Sequence, residues 1–308
     1  MTRVKLLVFG ALAMLTGTSA RAEVLPVSGI YPAASDAAAA LRSIAVDRFD
    51  GEDGAELSLA LEDALGKAAV DGAAWFRIST ALLDGGNAEG LLRGTAQADQ
   101  EFEDYTEERE ECIKDDKDKC TPEKRKFRVR CTHRTIAFLA NVRLYDPAGV
   151  LLWSDKPTRE RRDSFCEDQD RPSSLEAVAR ELAGQVAGSV RFALAPARRS
   201  ATIRVNESRK GLEKALANRF KGAVRLTKMD WPAACREWEA IGQLAPTHQP
   251  TLFNRALCGE ASGDDARAGD LYRQLLGLSP AGGPALEGLG RIASRRRALA
   301  QIAAHDRN

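Results

Sequence analysis

Histidine is scarce in this chain: among 308 residues only His133, His248 and His305 carry an imidazole. None has a catalytic partner by pattern, since a triad needs nucleophile, base and orienting group to converge. The usual local signatures are missing as well. There is no Gly-x-Ser-x-Gly, no phosphate-cradling glycine loop and no His-Glu-x-x-His. Gly85-Gly86 reads as a turn, and no pair of carboxylates can be placed at a glycosidase separation. Net charge is nearly absent too, at +1, which gives no global pull toward nucleic acid or anionic membrane. After residue 15 no run is apolar enough to cross a bilayer. These absences leave a non-enzymatic chain expected to need no cofactor or metal and to bind no nucleic acid.

What is present begins with a cationic start, an apolar run over residues 6–15 and the small-residue site Ala20-Arg21-Ala22. That is the layout of a secretory signal peptide over residues 1–22, cleaved after Ala22, with no transmembrane segment in the mature chain. No cysteine lies near the site to carry a lipid. Abundant Ala and Arg suit a high-GC bacterium, so the expected destination is the periplasm.

Six cysteines, an even count, suit an oxidising compartment. They divide as Cys112, Cys120, Cys131 and Cys166 in the first half and Cys235 and Cys258 in the second. Four cysteines allow three connectivities, and the sequence chooses none of them. Metal is the rival reading, because Cys131 and His133, two apart, would share one strand face, but the spacings fit no common zinc pattern. Asp115, Asp116 and Asp118 lack the order of a calcium loop.

Taken in order, residues 23–41 read as a Pro- and Ala-rich lead-in, followed by an α+β domain over residues 42–196. Its expected parts are a strand at 43–49, an amphipathic helix at 55–69, a strand at 75–79 and a short helix at 87–98 capped by Asn87. Residues 101–126 are dense in charge and read as a solvated insertion stapled by a disulfide. Residues 128–145 alternate as a strand, and Asp146-Pro147-Ala148-Gly149 makes a type I turn into a partner strand at 150–154. Ser173 and Glu176 form a capping box for a helix whose apolar face runs through Leu175, Val178, Leu182, Val186 and Val190. Residues 201–205 are expected to return one more strand to the same sheet.

The last part, residues 197–308, repeats itself. Pro246 and Pro280, Trp238 and Tyr272, Ala234 and Ala268, and Gly222 and Ala256 are each 34 residues apart. Small residues let helix backbones approach, the aromatics fill the gap beside them, and proline ends each second helix. A period of ~34 is that of helix–turn–helix arrays. These residues resemble the tetratricopeptide repeat, which implies protein–protein binding through a groove. Residues 283–308 start a third unit without completing it and read as a capping helix, whose Arg291, Arg295, Arg296 and Arg297 form a solvated face or contact acidic envelope polymer. Stacking of the repeats would make the helices bearing Cys235 and Cys258 neighbours, so a disulfide is expected there.

The first domain also resembles the periplasmic domain of the curli-secretion channel family. The residues that carry it are Ile44-Ala45-Val46 with Phe49, the Leu-rich helix, and Asn141-Val142-Arg143-Leu144-Tyr145-Asp146-Pro147-Ala148-Gly149. The resemblance implies a role in envelope assembly. The expectation is therefore an exported interaction scaffold or accessory subunit in envelope assembly or secretion. The alternative is a small-ligand or cell-wall polysaccharide binding module with its site in the groove between domains.

Overall fold

A parallel strand–helix–strand unit founds the sheet. The computed structural model describes residues 23–81, 87–114, 119–170, 172–279 and 282–307. It opens with β1 (Val24–Tyr31), α1 (Asp36–Ala39), β2 (Ser43–Val46), α2 (Gly54–Gly66), β3 (Ala69–Val70), β4 (Ala73–Ala74) and β5 (Arg77–Thr80). Two long strands follow, β6 (Gly90–Lys114) and β7 (Cys120–Tyr145), then β8 (Leu151–Asp155), β9 (Thr158–Cys166), α3 (Leu175–Leu194) and β10 (Ala197–Arg204). The rest is helical: α4 (Lys214–Leu226), α5 (Trp231–Leu244), α6 (Gln249–Ser262), α7 (Asp265–Leu278) and α8 (Gly283–Arg307). By contact the chain forms two compact units. A helical unit joins residues 23–27 to Ala201–Leu289, and a sheet unit joins Ser28–Ser200 to residues 290–307.

In the sheet unit the strand order is β5-β2-β6-β7-β8, with β9 also on β7. β2 runs parallel to β5 and β6, while β6–β7, β7–β8 and β7–β9 are antiparallel. Period-two alternation puts Phe138, Ala140, Val142 and Leu144 of β7 on the buried face. Leu57, Leu61 and Leu65 of α2, and Val178, Leu182, Val186 and Val190 of α3, share the core with them. The hydroxyl of Ser174, not Ser173, caps α3 by accepting from the Ala177 N–H at 3.2 Å. Glu176 turns back to its own backbone N–H and to Ser174, which lowers its carboxyl pKa.

Several expected elements differ. Residues 87–98 form no helix, because β6 starts at Gly90 and pairs with β2 from Ile44↔Gly90 to Val46↔Leu92. Burial of Leu92, Ala96 and Ala98 follows a strand period. Residues 101–126 are not an insertion between strands. Of these, 101–114 and 120–126 are the far ends of β6 and β7 themselves, paired to Lys114↔Cys120. The lead-in contains β1 and α1, with Leu25 and Val27 buried. β10 covers the expected 201–205 strand but pairs with β1 in a two-stranded sheet of its own, not with the main sheet. Residues 1–22, Gly85-Gly86, Pro280 and Asp115, Asp116 and Asp118 lie outside the described residues.

Residues 290–307 of α8 close over the sheet unit. The Gln301 side chain accepts from the Ala33 N–H at 2.8 Å and donates to the Ala33 carbonyl at 3.2 Å. Its amide and the Arg297 guanidinium also hold the Asp36 carboxyl below its ordinary pKa. The arginine cluster is accordingly not one solvated face: Arg295 is buried and Arg297 pairs with Asp36, while Arg296 is exposed.

Candidate functional site

In the helical unit α4–α5 and α6–α7 are consecutive helix pairs. Asp230 and Asp264 start the second helix of each pair, their carboxylates accepting from the N–H of Ala233 and Arg267. Trp238 and Tyr272 are fully buried, as are Ala234, Ala256 and Ala268. Close approach explains the small residues at one contact, since a Cβ on Gly259 would lie 3.0 Å from the Ala268 Cβ. The Tyr272 hydroxyl donates to buried Glu260 at 2.7 Å. Gly222 is exposed, with nothing within 4 Å of where a side chain would begin, so its small size serves no packing. Pro246 follows the end of α5 and is exposed.

Cys235 of α5 and Cys258 of α6 are bonded, with Cα atoms 5.8 Å apart, inside the usual span of a bridge. Above this bond lies a cleft of about 320 Å³ lined by Trp231, Arg236 and Glu239 of α5, Arg255 and Ser262 of α6, and Arg267 of α7. Glu239 organises it. Arg255 donates to both carboxylate oxygens, at 3.0 and 2.9 Å, and Arg267 donates to one of them. Arg255 lies so close over Gly242 that a Cβ there would stand 2.6 Å from its Nη1. Arg236 is exposed and has no ionic partner among the described residues. Two guanidiniums thus bond one carboxylate and a third lines the same cleft beside a half-buried indole, so the surplus is positive.

The histidines fall in three separate places. His248, the residue before α6, is buried, its Nδ1 2.7 Å from the Thr251 hydroxyl and its ring edge-on to Phe220. Burial lowers its pKa, opposed in part by the Lys210 carbonyl. His133 is exposed, stacks on Tyr105 at 4.2 Å and pairs through Nδ1 with Ser164. His305 stacks on Trp75 at 3.9 Å and accompanies Arg42, Asp71, Arg77 and Asp306 around a cleft of about 780 Å³ in the sheet unit.

The remaining cysteines pair as Cys112–Cys120 and Cys131–Cys166. The second bond joins residues directly opposite in the β7–β9 ladder. Glu107 lies beside both of its sulfurs, within 4.8 Å. The bonded sulfurs are not thiolate donors, and Arg109 fills the space by donating to Glu107, to Asp168 and to the Cys166 sulfur. The arrangement is a staple at the base of a hairpin. Among the described residues no helix is long and apolar enough to cross a membrane.

No protein-family model and no curated protein matches this chain. Solved structures give a distant likeness only. A PelC dodecamer from Paraburkholderia phytofirmans is 15% identical, with 53% of this chain and 96% of that chain covered, at a TM-score of 0.23. A leucine-to-methionine variant of it is 16% identical over 55% and 97%, at 0.24. At these scores the likeness carries no argument about fold or function.

The arginine cluster around Glu239 was not legible in the sequence. Arg255 and Arg267 are 16 and 28 residues from Glu239 and meet it only through the packing of α5, α6 and α7. The buried positions Trp238, Tyr272, Ala234, Ala256 and Ala268, by contrast, were marked by their period, which also pointed to the exposed Gly222.

Proposed function

We propose that this chain is an exported, periplasmic interaction scaffold or accessory subunit in envelope assembly or secretion, binding other proteins through its helical unit. Two tetratricopeptide-like helix pairs form that unit in this reading, and the cleft above Cys235–Cys258 is where a partner docks. The observation that carries it is the guanidinium surplus at Glu239 beside Trp231, on walls tied by a disulfide. Such a surface suits an extended segment with carboxylate side chains, because Arg binds carboxylate bidentately and a rigid cleft loses little entropy on binding. Export is supported by three disulfides and by the amino-terminal pattern.

A photo-crosslinking residue at position 236, in the organism that makes the protein, should trap a discrete protein adduct. The same residue at exposed position 222 should not. Identical adducts at both positions, or none at 236, would remove the reading.

A second reading, a binding module for small ligands or cell-wall polysaccharide, is favoured by the cleft around Trp75 and Arg77 in the sheet unit. It requires a thermal shift with cell-wall fragments, and a flat response would dismiss it.

A further inference from the structure

Beyond the pairing of β7 with β9, which ends at Cys131↔Cys166, residues 106–114 and 120–130 continue as a two-stranded arm. At ~3.4 Å per residue it reaches about 30 Å. Most of its side chains are exposed, and the one apolar cluster that touches it among the described residues, Val129 and Phe127 against Cys131–Cys166 and Tyr105, lies at its base. An isolated two-stranded hairpin is marginal in water. Here the arm is clamped by Cys112–Cys120 near the tip, by Cys131–Cys166 at the base, and by rungs such as Lys124–Glu110, Lys126–Glu108 and Arg125–Glu111.

The rungs have a polarity. β6 contributes Glu107, Glu108, Glu110 and Glu111 with Arg109 and Lys114 opposed, whereas β7 contributes Lys124, Arg125, Lys126, Arg128 and Arg130 with Glu123 opposed, so the first strand is acidic on balance and the second basic. Each strand pairs within the arm along one side, and its other side has no strand partner among the described residues. The arm therefore has an acidic free edge and, short of Arg130, whose carbonyl accepts from the Glu167 N–H and whose guanidinium pairs with Glu167, a basic free edge.

We propose that these edges are an interaction surface for a second copy of this chain, with the acidic β6 edge of one arm adding to the basic β7 edge of the next. Symmetric pairing of like edges would set carboxylate rows or guanidinium rows against themselves, which is unfavourable across strands. Head-to-tail pairing repeats outside the arm the antiparallel acid–base contacts already made within it. A foreign strand would need both the length and the charge rows that a second copy supplies by construction. Such an interface is heterologous, so it closes into a ring or runs on as a filament instead of stopping at a dimer. Charged edges are also a common device against unwanted pairing. Here the two edges differ in sign, which blocks like pairing while leaving unlike pairing open. The inference does not rest on the function proposed for the helical unit.

Sedimentation velocity of the full mature chain tests it, across concentration, at about 0.05 M and about 1 M salt. The expected result is assembly beyond a dimer at low salt and monomer at high salt. The triple variant Lys124→Glu, Arg125→Glu, Lys126→Glu should be monomeric, although it also breaks the internal rungs. Adding Glu108→Lys, Glu110→Lys and Glu111→Lys restores the rungs with the signs exchanged. That exchanged chain should assemble with itself and not with the parent. A parent that stays monomeric, a dimer that does not grow, assembly unchanged in the triple variant, or an exchanged chain that mixes freely with the parent would each overturn the proposal.

Discussion

Trp238 is the largest fully buried side chain among the described residues, set at 6.4 Å between ring centres from Phe220. Truncation to alanine leaves a cavity that helices tied by a disulfide cannot collapse into, so Trp238→Ala should cost about 3–5 kcal/mol. Chemical denaturation followed by far-ultraviolet circular dichroism measures it, and a loss near zero would contradict the packing. His248 gives the helical unit a pH dependence with a definite sign. Burial holds its folded pKa below the ordinary 6.5, so the unfolded chain takes the proton first as pH falls. Stability is full above about pH 6.5 and declines as the solution is acidified toward the folded pKa. In His248→Gln the slope between pH 7 and pH 5 should flatten. At this scale the sequence was partly readable. Trp238 and Tyr272 stood out by period, but the exposure of Gly222 did not, because the neighbour that would demand a small residue is absent on that side of α4.

At the scale of elements, β7 and α3 were legible because each has one wet and one dry face, and alternation or helical spacing records that difference. The far half of β6 was not. Both its faces meet solvent, so the sequence between Glu101 and Lys114 has no apolar alternation to show, and it resembled a loop. β1 was hidden by Pro26, a residue that sheets admit at edges, although Leu25 and Val27 alternate correctly around it. Two interactions tie elements together and can be removed singly. Arg134 on β7 is buried and paired with Asp163 on β9 at 2.6 Å. The Arg134 hydrogen bond, and then Arg161, hold the Asp163 carboxyl below its ordinary pKa against the effect of burial. Asp163→Ala should destabilise the sheet unit by about 3 kcal/mol, since it strands a buried guanidinium. The thermal midpoint would show it, and an unchanged midpoint would mean that Arg134 finds another partner. The Cys235–Cys258 bond closes a separation of 23 residues, and Cys235→Ser with Cys258→Ser should remove about 3 kcal/mol from the helical unit.

For the whole molecule, a sheet-rich part followed by a helical part was legible in outline, as was the use of cysteine for disulfides. The grouping of residues into the cleft was not, because it depends on which faces of α5, α6 and α7 meet. The proposed function rests on that cleft, so its occupancy by carboxylates is the quantity to measure. Fluorescence anisotropy of a labelled acidic peptide, alternating glutamate and serine, should rise on titration with residues 23–308 of the chain and fall back as salt is added. A lysine counterpart should stay flat. Arg236→Glu alters an exposed side chain with no ionic partner among the described residues and should leave the fold intact while weakening the acidic peptide at least about tenfold, or ~1.4 kcal/mol. Equal binding of acidic and basic peptides, or an Arg236→Glu chain that binds as its parent does, would contradict the cleft as the docking site.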